Sequence, residues 1–319
     1  MKKMMAIFMM LILSILWSLS ASNWFTMWMS MEMNSMMFIP ILMTNATQSN
    51  SESGMKYFLI QSISSMLFMS SATINTCSMK LSLMTNNFMV LSLMMKLGMF
   101  PFYFWYVDIT PKMDYISMTL LMTTQKMIPF ITMSNLTSWN MKMKIMMMMN
   151  MVTSALLAIN HNKIKIILTF SSINQMSWMM ASMMINMKTF WMMMLIYVSI
   201  LVPINMNMKK MKISTLTQLM KFNSKSENLM FLSLFGLPPM PGFMMKWMVT
   251  QKFMLMKEKV LPSLMIMSSA ITLYYYLRMF IQSTFTKNAK TKMFKNSENK
   301  MKKLSQIMLI PTCLILMSM

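Results

Sequence analysis

A chain of 319 residues that is 56% apolar and only 11% charged carries less than half the charge of a soluble domain, where about 25% is usual. Its hydrophobicity excludes an intrinsically disordered chain, and two cysteines in this length exclude a small disulfide-built scaffold. What remains is an all-α polytopic membrane protein.

In chain order, the uncharged stretch from Met4 to Met31 holds most of two spans, broken near Ser20-Ala21-Ser22-Asn23. A third span runs from Tyr57 to Met79. A fourth runs from Leu81 through Lys96 to near Tyr106, and a fifth from Tyr115 to Thr137. Others are Ile145 to Asn160, Ile166 to Met187, Thr189 to Met208, Leu229 to Gln251, Val260 to Ile281 and Leu304 to Met319. These are about eleven spans of roughly 16–26 residues, close to the ~20 that cross a hydrocarbon core. Lipid offers the backbone no hydrogen-bond partner, so the spans are expected to be helical. The connecting loops are short and leave no length for a soluble domain. The N-terminus has signal-peptide character (Lys2, Lys3, an apolar run, then small residues), but further spans follow directly. It therefore reads as an uncleaved first helix.

Assigned to alternating sides of the membrane, the loop lysines fall mainly on the side of the N-terminus, which the positive-inside rule places in the matrix or cytoplasm. The net charge of +22 is mostly this bias. Nucleic-acid binding needs a folded basic surface that such short loops do not provide, so the expected partners of the basic loops are anionic lipid headgroups. The 61 methionines are spread along the chain rather than grouped at ligand spacing, which argues against a thioether metal site. Since Met replaces Leu or Ile at small cost, the Met, Lys, Asn and Ser enrichment reads as the drift of an AT-rich mitochondrial genome.

Four charged residues fall inside spans: Glu32, Lys96, Lys126 and Lys246. A charge in hydrocarbon costs at least about 2.5–3.5 kcal/mol, and such residues usually line a polar cavity or an ion path. The alternative is snorkelling, or a buried ion pair that only fixes packing. A buried lysine loses its proton readily and a neighbouring carboxylate restores it. Arginine cannot act this way, and all 29 basic residues except Arg278 are lysine.

Two spans are interrupted, the fourth by Gly98 and Pro101 and the ninth by Gly236, Pro238, Pro239, Pro241 and Gly242. Gly and Pro free backbone carbonyls and break helices, and broken helices at membrane depth mark transporter sites. The breaks lie five spans apart. Two five-helix repeats, 1–138 and 139–283, would each carry one on the fourth helix, and an odd helix number makes the repeats inverted. Lys96 and Lys246 would then be approximate symmetry mates, with the helix 304–319 outside the pattern. Other chemistry is thin. His161 is the lone histidine, a loop residue or a proton donor to a channel, and it has no second histidine with which to build a metal site. Cys77 and Cys313 read as free thiols. No Gly-rich phosphate loop, paired haem histidine or nucleophile triad is present.

These residues together resemble the NADH dehydrogenase subunit 2 family, the mitochondrially encoded antiporter-like subunits of respiratory complex I. The resemblance rests on Trp24 and Trp28 followed by Glu32 and Asn34, Phe38-Ile39-Pro40, Glu52 with Lys56 and Gln61, and Lys96-Leu97-Gly98 with Pro101 to Trp105. Beyond these come Gln125-Lys126 with Pro129, Ser171 to Asn174 with Trp178, Leu232 to Leu234, Gly236 to Pro239, Gly242-Phe243, Lys246-Trp247 and Tyr276 to Arg278. It implies two inverted five-helix repeats, eleven helices and a matrix-side N-terminus in the mitochondrial inner membrane. It also implies that Glu32 and Lys96 form the acid–lysine pair of one half-channel, that Lys126 is the central relay and that Lys246 serves the second half-channel. No cofactor is expected in this chain. NADH, flavin, iron–sulfur clusters and ubiquinone would be held by other subunits of a hetero-oligomer, whose membrane-arm subunits and lipids, cardiolipin included, would be its partners. The family often has His where Tyr103 stands, Pro-Glu at Val107-Asp108, His-x-Gly at Gln175 to Ser177, and a basic pair where Lys165-Ile166 stand. These departures bear on histidine in proton entry or exit and leave the central axis intact. The function expected is proton translocation coupled to electron transfer from NADH to ubiquinone. The alternatives are a stand-alone cation/proton antiporter and a structural subunit whose buried charges only fix assembly.

Overall fold

The computed structural model describes residues 2–44, 48–77, 82–136, 141–221, 233–234, 236 and 240–284. The helix expected at 304–319, the lysines between 287 and 303, and Cys313 lie outside them. Among the described residues the secondary structure is helical, apart from an isolated antiparallel bridge between Lys163 and Thr215.

The chain divides into two compact units, Met1–Lys142 and Met143–Met319. In the first, α1 (Lys2–Ser20) and α2 (Trp24–Leu42) are separated at residues 21–23 as the polar break requires. α3 (Gln48–Cys77) packs on α2 and α4 (Ser82–Leu97). The fourth span then breaks, continuing as the short α5 (Phe104–Ile109) and a 3₁₀ turn (Thr110–Lys112). The fifth span is also broken, into α6 (Tyr115–Met122) and α7 (Thr124–Asn135). In the second unit α8 (Met141–Ile159), α9 (Ile164–Ile185) and α10 (Met187–Met211) lead to a 3₁₀ turn (Leu216–Lys221), α11 (Pro241–Leu255) and α12 (Val260–Thr284).

Four helical stretches among the described residues are long and apolar enough to cross a membrane by length and composition: Gln48–Cys77, Met141–Ile159, Met187–Met211 and Val260–Ile281. Large apolar side chains such as Leu13, Met66, Leu156 and Met267 are exposed on the outer faces, a surface suited to lipid rather than water. α9 behaves oppositely. It is buried along most of its length from Ile164 to Met183, as a helix at the centre of its unit must be. Its polar residues avoid an unpaired hydroxyl by bonding back along the helix, Thr169 to Ile166, Ser172 to Thr169 and Ser182 to Met179.

α3 begins nine residues before the expected span. Its first turns carry Glu52 and Lys56, which read as loop residues, yet they pair at 3.1 Å with the i,i+4 spacing of a helix. Lys112 from the 3₁₀ turn binds the same carboxylate, so the polar start of α3 is tied to the chain that follows the break.

Candidate functional site

Glu32 and Lys96 meet in the first unit. Glu32 sits mid-way along α2 and Lys96 one residue from the end of α4. Lys96 Nζ lies 3.6 Å from Glu32 Oε1, with its side chain 3% exposed. The distance is that of an ion pair and longer than a hydrogen bond. At an effective dielectric of ~20 it corresponds to attraction on the order of 5 kcal/mol, comparable with the insertion cost of a lone lysine.

The break in the fourth span is built to hold Lys96 there. Gly98 has φ +68°, and a Cβ on it would stand 2.8 Å from Tyr106 Cβ, so no other residue fits without displacing the chain. Three of the last four carbonyls of α4 are met where the helix breaks. Met99 N–H donates to Met94 O at 3.1 Å and Gly98 N–H to Met95 O at 3.2 Å. Trp105 Nε1 also donates to Met95 O at 3.1 Å, and Gln61 Nε2 donates to Lys96 O at 3.3 Å. Side chains from α3 and α5 thus replace the missing helical turn.

Lys126 stands in the first turns of α7, 2% exposed, with its ammonium 5.4 Å from the centre of the Tyr106 ring. A cation over an aromatic face is stabilised without a counter-ion. Lys96 and Lys126 line one cavity, together with Tyr57, Gln61, Trp105, Tyr106 and Gln125. It leaves ≈ 20 Å³ for the centres of water molecules, where about 10–15 Å³ admits one water. Amines facing a hydrated space of this size, lined by amides and phenols that bind water, can pass a proton through it.

Lys246 belongs to the second unit. The break before α11 again contains a glycine with positive φ, Gly236 at +73°. Gly242 is needed more sharply, since a Cβ there would come within 2.0 Å of Ser233 O. Pro241 occupies the first turn of α11, where its missing N–H costs nothing. Lys246 Nζ lies 5.7 Å from the centre of the Trp178 ring on α9, and among the described residues no acid pairs with it. α8 and α9, the helix that carries Trp178, are joined by polar side chains. Asn150 from α8 donates to Ile173 O at 2.9 Å and to Ser177 Oγ at 2.6 Å, while Asn174 Oδ1 and Trp178 Nε1 are buried without a hydrogen-bond partner among the described residues. Lys96 precedes its glycine by two residues and Lys246 follows Gly236 by ten, so the two lysines stand on opposite sides of their breaks.

His161 lies between α8 and α9 and stacks on Phe170 with ring centres 5.4 Å apart. Arg278 anchors the same loop, donating to Ile159 O at 3.3 Å and to Asn162 Oδ1 at 2.6 Å. Asn34, Tyr57 and Gln125 were visible only as parts of motifs. Their joining into one cluster beside Lys126 had no local signal.

Residues 21–272 match the family described as NADH:quinone oxidoreductase/Mrp antiporter, TM. The NADH-ubiquinone oxidoreductase chain 2 of Locusta migratoria is 35% identical over 273 residues, covering 82% of this chain and 79% of that one. That of Oryctolagus cuniculus is 30% identical over 318 residues, covering 92% and 91%. The chain belongs to this family. Its fold is that of a chain in respiratory complex I from Thermus thermophilus, with a TM-score of 0.85 at 18% identity over 97% of this chain and 77% of the other. A chain of the Mrp complex from a Dietzia species gives 0.80 at 11% identity, over 97% and 75%. The family has an antiporter-like helical membrane fold, and the broken helices and buried lysines above sit within it.

Proposed function

We propose that this chain is a core membrane subunit of the mitochondrial proton-translocating NADH:ubiquinone oxidoreductase, multi-pass in the inner membrane with its N-terminus in the matrix. It conducts protons through Glu32, Lys96, Lys126 and Lys246. The observation that carries this reading is the shared cavity of Lys96 and Lys126 beside the Glu32–Lys96 pair. Structural ion pairs need no space between two like charges; a relay does. Relatives at 30–35% identity over most of both chains bear the name of that enzyme's chain 2, which favours an enzyme subunit over a stand-alone antiporter of the same fold. Its partners are the other membrane-arm subunits and inner-membrane lipid, cardiolipin included. NADH, flavin, iron–sulfur clusters and ubiquinone are held elsewhere in the complex.

The chain moves a proton by coupled charge. When Glu32 holds Lys96 protonated, a second proton on Lys126 is opposed. Two unit charges ~8 Å apart at a dielectric of ~20 repel by about 2 kcal/mol, a factor of about 30 in a protonation equilibrium. Opening the Glu32–Lys96 pair releases the Lys96 proton to cavity water and thence to Lys126. Closing it reloads Lys96. Lys246 performs the corresponding loading in the second unit, and repeats 1–138 and 139–283 give the two half-channels opposite orientation.

Lys126→Met keeps the apolar stem and removes the titratable group. In the assembled complex it is expected to lower protons translocated per NADH oxidised while electron transfer to an artificial flavin-site acceptor stays unchanged. Normal assembly with unchanged proton yield would remove Lys126 from the route.

A further inference from the structure

The turn that carries Lys126 is unusually short of backbone support. α6 stops at Met122, and Thr123 takes φ −117°, ψ −78° before α7 begins. Across the break the backbone keeps only i,i+3 bonds, Thr123 N–H to Leu120 O at 3.2 Å and Lys126 N–H to Thr123 O at 3.3 Å, and hydroxyls supplement them: Thr123 Oγ1 donates to Thr119 O at 2.7 Å and Thr124 Oγ1 to Leu120 O at 3.0 Å. Three residues beyond Lys126 stands Pro129, inside α7. Proline has no N–H, so the carbonyl of Gln125 lacks its i+4 donor. The first turn of α7 is thus interrupted before Lys126 and weakened after it, and backbone bonds alone hold its angle poorly.

A side chain adds the missing hold. Tyr57 OH, from α3, donates to Gln125 Oε1 at 2.9 Å. Asn34, from α2, exchanges two bonds with the same amide: its Nδ2 donates to Gln125 Oε1 at 3.2 Å and its Oδ1 accepts from Gln125 Nε2 at 3.3 Å. Asn34 and Tyr57 are both buried, at 3% and 1% exposure. All three bonds bind the residue next to Lys126 to the two helices that carry the rest of the site: Glu32 is on α2, and Gln61, which caps Lys96 O, is on α3.

We propose that Gln125 is a positioning residue for the proton step between Lys96 and Lys126. Its amide, clamped by Asn34 and Tyr57, fixes the soft turn of α7 so that Lys126 faces the shared cavity. An amide suits this role because it gives and accepts hydrogen bonds yet neither takes up nor releases a proton near neutral pH. The clamp therefore sets geometry without becoming a competing proton store. The inference rests on the relay reading of Lys126 above.

The test uses the assembled complex in sealed vesicles, reading protons translocated per NADH, quinone-coupled turnover, and turnover with an artificial flavin-site acceptor. Gln125→Leu removes all three bonds, and Tyr57→Phe removes one. Tyr57→Phe is expected to lower coupled turnover by about fivefold, the weight of one lost hydrogen bond, and Gln125→Leu by more, with artificial-acceptor turnover unchanged in both. The double variant should be no worse than Gln125→Leu alone, because the partners act through one contact. Exchanging the amides, Asn34→Gln with Gln125→Asn, should recover much of what Gln125→Asn alone loses. Wild-type coupled turnover and proton yield in Tyr57→Phe would overturn the clamp if Lys126→Met impairs pumping. Wild-type behaviour of Lys126→Met as well would sink the relay reading itself. If Gln125→Leu fails to assemble, Tyr57→Phe and the amide exchange still decide.

Discussion

A carboxylate 3.6 Å from an amine whose side chain is 3% exposed forms a buried ion pair in which each charge depends on the other. Glu32→Gln leaves shape nearly unchanged and strands Lys96 as a buried cation. Removing one partner of a buried pair is costly, so the loading step at Lys96 fails and coupled turnover should fall by about tenfold or more, the weight of about 1.4 kcal/mol. Glu32→Asp keeps the charge at longer reach and should retain a measurable part of the rate. Both are read as quinone-coupled turnover of the assembled complex, normalised to its artificial-acceptor rate. An undiminished normalised rate in Glu32→Gln would assign the pair to packing alone. Lys246 offers an internal contrast. It rests against Trp178 at 5.7 Å with no acid paired to it among the described residues, so a ring quadrupole faces its charge where a carboxylate faces that of Lys96.

The glycines differ in how far they can be replaced, and the contacts rank them. A methyl on Gly242 would meet Ser233 O at 2.0 Å, a backbone atom that cannot turn aside; one on Gly54 would meet Met43 Cε at 3.1 Å, the end of a flexible side chain. Gly242→Ala is therefore expected to abolish most assembly of the complex, and Gly54→Ala, mid-helix, to be tolerated or slightly stabilising. Native-gel quantification of assembled complex checks both; equal assembly would show that the chain before α11 can move away. The breaks in the fourth and ninth spans were legible in the sequence because Gly and Pro announce themselves. The break at Thr123 was not, because threonine is a common helix residue in membranes and its hydroxyl repairs the carbonyls it exposes. The early start of α3 was hidden for a related reason: Glu52 and Lys56 look like loop charges until Lys112, distant in sequence, joins them. The four intramembrane charges could be read as a set by their rarity. Which of them meet could not, since Glu32 and Lys96 are joined only by tertiary packing, and the Asn34–Gln125 bond spans 91 residues.

At the scale of the whole chain, lysine asymmetry predicts the orientation of every helix. With the N-terminus in the matrix, α1 runs outward, α2 returns and α3 runs outward again, so the end of α3 faces the intermembrane space. Cys77 is the last residue of α3 and an exposed free thiol. It marks that end, with Lys80 the nearest basic residue beyond it, whereas Lys2 and Lys3 mark the other. The positive-inside rule counts short-loop charges near span ends, which is how nearly all basic residues of this chain are placed. A membrane-impermeant maleimide added to intact inner-membrane vesicles of native orientation should label Cys77, and inverted vesicles should label it only after permeabilisation. Peptide mass mapping distinguishes Cys77 from Cys313. Labelling confined to inverted vesicles would reverse the orientation of all helices together, and with it the side from which the Glu32–Lys96 pair is loaded, while the geometry of the pair and its cavity would stand.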